Sequence, residues 1–295
     1  MIVKEISDNV HNIYIEGNQV EIAVLSDLHW DNPKCDRVLL KKHLDHCKEN
    51  NIPIVIVGDL FCLMQGRGDN RRNKSDIRPE HNNSKYLDSI VDTAVEWFSP
   101  YAHLMAVIGY GNHETAIIKW QETDILKRFV KMLNIKNDSN VYTGGYGGWI
   151  VYTLKYKNSP KAQATSSIRH KYFHGSGGGG IVTKGAINLT RALEMYENMD
   201  LFTMGHIHEN ASRNDVRETL EYVTGKYYLK HKEIHHAITG TYKEEYQDGS
   251  KGWHVERGAP PKPLGGRLIT INITHRTVDG KERLVKKVDS RRFNM

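Results

Sequence analysis

Cysteine is scarce in this chain. Its 295 residues hold three, Cys35, Cys47 and Cys62, an odd number at no spacing that would hold zinc. A disulfide framework is excluded, and free thiols in a reducing compartment are expected, most simply the cytoplasm. Long apolar runs are missing too. No stretch reaches the ~18 apolar residues of a membrane helix, so no span and no membrane partner are expected. The opening Met1-Ile2-Val3-Lys4-Glu5 lacks the basic segment and apolar stretch of a secretory leader, and none is expected. The glycine run Gly177 to Gly180 lacks the lysine of a P-loop and is no nucleotide fingerprint. It reads as backbone N–H groups near a phosphate or as a turn before a helix. Charge of one sign is only mildly in excess, at +6, which permits anionic partners without requiring them. The 39% apolar content suffices for a sizeable core. No repeat and no shift in composition divides residues 1–295, which read as a single domain.

What is present is a series of short apolar segments. Val10 to Tyr14 and Val20 to Leu25, with Glu16-Gly17-Asn18 between them, read as a β-hairpin. Asp36 is placed to cap a helix from Arg37 to about Glu49 that buries Val38, Leu39, Leu44 and Cys47. Pro53 opens a strand from Ile54 to Val57, parallel to the strand before the helix. Residues 84–98 repeat Leu87, Ile90, Val91, Ala94, Val95 and Phe98 at helical spacing, and Ser99-Pro100 stops them. Leu104 to Ile108 is a strand leading to a turn at Asn112-His113. Residues 122–133 read as a helix burying Ile125, Leu126, Phe129, Val130 and Leu133. Val141 to Thr143 and Trp149 to Leu154 are expected in a second sheet, with Gly144, Gly145, Gly147 and Gly148 in the bend. Residues 158–167 read as an exposed loop, Ile168 to Phe173 as a strand and Ala186 to Glu197 as a helix. Short strands are expected at Leu220 to Thr224, His235 to Thr239 and Leu268 to Ile273. Residues 65–83 differ, being poor in apolar residues and holding Arg67, Arg71, Arg72, Lys74 and Arg78. They read as a long basic loop inserted directly behind Asp59.

Five polar signatures end apolar runs: Asp27-Leu28-His29, Gly58-Asp59, Gly111-Asn112-His113-Glu114, His174-Gly175 and Gly205-His206-Ile207-His208. Open α/β sheets place their chemistry outside the carboxyl ends of strands. Asp27 and His29 lie two apart on chain that reads as extended, which turns both side chains to one face, and His206 and His208 repeat the arrangement. Asp27, His29, Asp59, Asn112, His174, His206 and His208 thus form a set of oxygen and nitrogen ligands. They are too many for one tetrahedral zinc and suit two ions ~3.5–4 Å apart sharing a carboxylate. Mixed imidazole and carboxylate donors suit manganese, iron, zinc or nickel better than calcium or magnesium, and manganese is the expected ion. Two such ions activate a bridging water and clamp a phosphoester. His113 is not needed as a ligand. It is placed to donate a proton to the leaving oxygen or to neutralise charge on the phosphoryl group. Singly, Asp-x-His or Gly-Asp is an ordinary strand-end turn; the ordered set carries the reading.

That order resembles the calcineurin-like metallophosphoesterase superfamily over residues of roughly 22 to 208. The resemblance implies an α/β fold, a four-layer α/β/β/α sandwich of two mixed sheets flanked by helices. It implies one divalent ion on Asp27, His29, Asp59 and His208 and a second on Asp59, Asn112, His174 and His206, with Asp59 as the bridge. It also puts His113 at the family's catalytic histidine. Gly58-Asp59 continues as Leu60-Phe61-Cys62-Leu63, not as the Asp-Arg-Gly of the serine/threonine protein phosphatases, and looks more like the nuclease and phosphodiesterase branches. Glu114 stands where the nucleases often have aspartate. Cys62 stands where relatives often carry a polar residue and reads as packing beside the site. His174-Gly175-Ser176 and the glycines after it also look like phosphoesterases of bacteriophage genomes.

The expected activity is hydrolysis of phosphodiesters by a hydroxide bridging the two ions, with a nuclease among the readings. The alternatives are a phosphomonoesterase acting on nucleotides or phosphoproteins, and a scaffold that keeps the fold without metals. The intact ligand set argues against the scaffold. The expected partner is a phosphoester substrate. Nucleic acid would be met by Arg67, Arg71, Arg72, Lys74 and Arg78, although that loop also reads as a solvated insertion.

Overall fold

The computed structural model describes residues 1–65, 69, 72–159, 162–178, 180, 182–249, 253–256, 258–278 and 281–294. The chain opens with β1 (Ile2–Ser7) and β2 (Val10–Glu16), then β3 (Gln19–Leu25) and α1 (Arg37–Glu49). Next come β4 (Ile54–Val57), α2 (Tyr86–Phe98), β5 (Met105–Gly109), α3 (Asn112–Gln121), α4 (Ile125–Asn137) and β6 (Tyr142–Thr143). β7 (Gly147–Ser159), β8 (Ala162–Phe173), α5 (Ala186–Met195), β9 (Leu201–Met204), β10 (Ala211–Val223) and β11 (Lys226–Ile238) follow. The short α6 (Trp253–Glu256), β12 (Arg267–Val278) and β13 (Lys281–Arg292) complete it.

Two mixed sheets result. One has six strands in the order β13-β12-β3-β4-β5-β6, and the other seven in the order β1-β2-β7-β8-β9-β11-β10. β3, β4, β5 and β6 are parallel neighbours, while β12 runs antiparallel to β3. Strands apolar at every position can be buried on both faces, and β4 shows how. Ile54 and Ile56 pack outward with Leu40, Leu44, Ile90, Phe98 and Phe129 of α1, α2 and α4. Val55 and Val57 face inward with Ile150, Tyr152, Ile168 and Tyr172 of the second sheet. On that sheet's far side Leu189 and Ala192 of α5 cover Phe202, Met204, Ile234 and Ile238. The four layers are therefore helices, sheet, sheet, helix.

The expected α1, β4, α2, β5, α4 and β9 are present, and Asp36 caps α1 by accepting from Leu39 N at 2.9 Å. Other expectations are corrected. β2 and β3 are not a hairpin: β2 pairs with β1 and β7, β3 with β12 and β4. Glu16-Gly17-Asn18 carries the chain from one sheet to the other. On α1, Val38 is exposed and Leu39 half-buried, while Leu40 and His43 take the inner face. Asn112-His113 is not a turn but the first turn of α3. β6 stays with the six-stranded sheet, beside β5, so the glycines after it make the crossing between sheets. Residues 158–167 are largely the outer ends of the β7–β8 hairpin rather than a loop, with residues 160 and 161 outside the described ones. The expected short strands are parts of two long hairpins, β10–β11 and β12–β13. Among the described residues, no helix is long and apolar enough to cross a membrane.

Candidate metal centre

The loops after β3, β4, β5, β8 and β9 meet at one edge of the sandwich. β3 and β4 go on running side by side past their ends: Asp27 N donates to Gly58 O at 3.1 Å, His29 N to Asp59 O at 3.1 Å and Trp30 N to Leu60 O at 2.9 Å. Gly205 N likewise reaches His174 O at 2.9 Å. The backbone here is not extended. Asp27 (φ 51°), His29 (46°), Asp59 (51°), His206 (68°) and His208 (56°) all lie in the left-handed region, which non-glycine residues enter at a cost. Asp27 and His29 still converge, through strained turns rather than through a strand's alternation, whereas His206 and His208 go to different clusters.

Two clusters form. In the first, His208 Nε2 lies 3.3 Å from Asp27 Oδ1 and 3.4 Å from His29 Nε2. In the second, His174 Nε2 lies 3.2 Å from Asp59 Oδ2 and 3.2 Å from Asn112 Oδ1, and His206 Nδ1 lies 2.7 Å from the same Asn112 oxygen. Asp27, His29, Asp59 and His174 are buried, and Asn112, His206 and His208 half-buried.

Each aspartate divides its oxygens. Asp27 Oδ2 accepts from His206 N at 2.9 Å and from Ser26 Oγ, while its buried Oδ1 has no hydrogen-bond donor among the described residues and stands 3.3 Å from His208 Nε2. Asp59 Oδ1 accepts from His113 N at 3.0 Å, and Oδ2 is left facing His174 and, at 3.8 Å, His113 Nε2. The histidines are oriented as well. His174 Nδ1 donates to Val57 O at 2.8 Å, which leaves Nε2 for the cluster. His113 Nδ1 donates to Cys62 O, which turns its Nε2 toward Asp59.

This donor set fits divalent ions. Groups bound at ~2.0–2.2 Å stand about 3 Å from one another, the spacing found across both clusters. The Asp27 oxygen, buried without a hydrogen-bond partner, lacks what a cation would supply, and the His29 and His208 nitrogens face each other 3.4 Å apart beside it. Asp27, His29 and His208 can hold one ion, and Asp59, His174 and His206 another. The buried thiol of Cys62 stands with His29 and His113 in a third such group, yet burial pushes it up to about 12 and Asn32 Nδ2 donates to its sulfur at 3.2 Å.

The charges interlock. Burial alone would raise Asp27 and Asp59, but His208 beside the first and His174 and His113 beside the second hold both below the usual carboxylate range. Burial would lower His174, and Asp59 overrides it, raising it to about 10. His29 and His206 are lowered, by burial first and then by neighbouring histidines.

Several supporting residues escaped the sequence reading. Glu114, the third residue of α3, accepts from Asp59 N at 3.1 Å, Phe61 N at 2.9 Å and Gly111 N at 2.8 Å, tying the second and third loops together. Burial and then Asp59 push it up to about 8. Asp31 accepts from Cys62 N at 2.5 Å and Leu63 N at 3.0 Å. Thr241 Oγ1 donates to Asp27 O at 2.9 Å from the segment after β11. The Gly111-x-x-Glu114 spacing was a usable signal for the first; nothing local marks Thr241.

In the basic loop, Arg67 and Arg71 lie outside the described residues, and of Lys74 only the backbone is described. Arg72 is exposed. Arg78 turns inward, its Nε donating to Asn32 O at 3.0 Å and a terminal nitrogen to Cys35 O at 3.0 Å.

A family model described as calcineurin-like phosphoesterase matches residues 20–210. The chain belongs to that family, and membership supports metal-dependent hydrolysis of phosphoesters. No curated protein matches the chain. Among solved structures it is similar to GAP50 of Plasmodium, the anchor in the inner membrane complex, at 12% identity over 94% of this chain and 89% of that one, with a TM-score of 0.40. It is also similar to Vacuolar Protein Sorting 29 from Cryptosporidium parvum, at 10% identity over 92% and 99% of the two chains, with a TM-score of 0.33.

Proposed function

We propose that this chain is a dinuclear metal-dependent phosphodiesterase. The observation that carries the reading is the convergence of two buried oxygen and nitrogen clusters at one sheet edge, each with a carboxylate oxygen turned into it. Asp27, His29, Asp59 and His208 would hold one ion, and Asp59, Asn112, His174 and His206 the other. Bound there, the ions supply an activated water and a clamp on the phosphoryl oxygens. Manganese is the ion we expect, with iron, zinc or nickel as competitors. His113 Nδ1 donates to Cys62 O, so the Nε2 that faces the site carries a proton only in the imidazolium form, and it is that form that would act as the acid. That proton is delivered to the leaving oxygen.

The diester preference is supported by the Gly58-Asp59-Leu60-Phe61 continuation and by the position of the basic loop. The loop leaves at Leu63, held by Asp31, and is tied back by Arg78 to Asn32, three residues beyond His29. A polynucleotide crossing that rim would meet Arg67, Arg71, Arg72 and Lys74, with Arg78 serving as the anchor.

The test is metal analysis of protein supplied with manganese, followed by assays on bis-p-nitrophenyl phosphate and p-nitrophenyl phosphate. Two equivalents of metal with diester hydrolysis are expected. Monoester hydrolysis alone would make the chain a phosphomonoesterase, and no metal with no activity would make it a scaffold.

A further inference from the structure

The β10–β11 hairpin outgrows the body that supports it. Thr224 (φ 46°) and Gly225 (φ 83°) close it in a two-residue turn of the kind that matches strand twist. At its base, one face meets β13, where His235 Nε2 lies 2.7 Å from Ser290 Oγ. The other face meets α5, where Arg213 donates to Thr190 Oγ1 at 3.0 Å. Farther out neither cover continues: from Glu218 to His231 every side chain described is exposed. Alternation nevertheless persists there. Val216, Leu220, Tyr222, Tyr227 and Leu229 share the face that pointed at β13, each 63–70% exposed, while Arg217, Thr219, Glu221 and Lys230 occupy the other. The ribbon satisfies several of its own charges, pairing Glu221 with Lys230 and Glu218 with His231. A two-stranded ribbon is at best marginal in water, and β10 is the edge of its sheet among the described residues, with backbone groups open to another strand.

We propose that β10 pairs antiparallel with β10 of a second copy of this chain, about a two-fold axis through Thr219. Antiparallel pairing sets residues of the same hydrogen-bonding type opposite each other, so the axis must pass through a residue position. Among the positions from Arg217 to Leu220, where the covers end, charge selects which one. An axis at Arg217 or at Glu218 sets that residue against itself, and the latter also sets Asp215 against Glu221. An axis at Leu220 brings no opposite charges together. An axis at Thr219 sets Arg217 opposite Glu221 twice and Val216 opposite Tyr222 twice. The contact is isologous, as a closed dimer requires, and joins the seven-stranded sheets of the two copies edge to edge.

Light scattering on the eluting full chain should give twice the chain mass. Thr219→Cys should cross-link on mild oxidation, because paired Cα atoms ~4.5–5.5 Å apart lie within disulfide reach. Lys226→Cys, at the turn, should not. The three native cysteines are buried and do not interfere. A chain with residues 218–231 replaced by Asn-Gly should run as a monomer with unchanged far-UV circular dichroism. If trimming prevents folding, the two cysteine variants decide. A monomeric full chain, a folded trimmed chain that still dimerises, or cross-linking at 226 and not at 219 would each overturn the proposal.

Discussion

Asp59 shows how little freedom a residue in this centre has. One oxygen is committed to the His113 amide and the other faces His174, so the carboxylate has no rotamer to spare. Under the proposed bridging role, Asp59→Asn puts an amide group where both ions would need an anion. It is expected to lose both ions and all activity; two equivalents of metal retained by the purified variant would refute the bridging role. His113 is proposed to act as the acid rather than as a ligand. His113→Ala is expected to keep its metals and lose about 10²–10⁴ in kcat, the scale of a positioned acid. The loss should shrink for a p-nitrophenolate leaving group, which leaves with little protonation. Equal losses for good and poor leaving groups would assign His113 to charge stabilisation on the phosphoryl group.

At the scale of elements, the site depends on loops lying closer together than any side chain permits. A Cβ on Gly205 would collide with Ser26 Oγ and with Asp27 Oδ2, the oxygen that anchors the His206 amide. Gly205→Ala must push the β9 loop away from the β3 loop. The expected result is an unchanged far-UV spectrum with metal affinity reduced at least tenfold, read by titration with a competing chelator; native affinity would show that the loops can part without cost. The basic loop belongs to this scale as well. Replacing Arg71, Arg72 and Lys74 with alanine should weaken binding of DNA or RNA. It should also flatten the dependence on salt, by about 0.7–0.9 for each phosphate no longer neutralised. Hydrolysis of bis-p-nitrophenyl phosphate should stay nearly constant. An unaltered salt slope would rule the loop out as a nucleic-acid contact.

The molecule as a whole also buries histidines outside the two clusters. His43 stacks on Phe293 with ring centroids 4.1 Å apart, and His170 sits between Tyr152 and Thr203. Burial holds His43, His235 and His236 down at about 4 and His170 at about 3. In the unfolded chain these groups titrate near 6.5, so the unfolded state takes up protons first as pH falls. Their contribution to stability is complete above about 6.5 and is lost progressively toward about 4. The urea midpoint of metal-free protein should therefore drop steadily between about pH 7 and pH 5, and His170→Gln should make that drop shallower. A midpoint flat across this interval would mean that these histidines are not buried neutral. Using metal-free protein keeps proton-driven loss of ions out of the measurement.

Much of this was legible one residue at a time. The strand ends that carry Asp27, Asp59, Asn112, His174 and His206, the cap at Asp36 and the apolar stripes of α2 and α4 are local patterns, set by the periods of helix and strand. What local pattern leaves open is which strand lies beside which. Glu16-Gly17-Asn18 has the composition of a hairpin turn, yet β3 is apolar on both faces and is buried between β12 and β4, which takes it into the other sheet. Only that assembly brings Asn112 between His174 and His206, supplies Thr241 to the Asp27 carbonyl from more than two hundred residues away, and forces the ligand turns into left-handed backbone. Those are consequences of distant segments competing for the same buried edge, and no short stretch of sequence encodes the outcome.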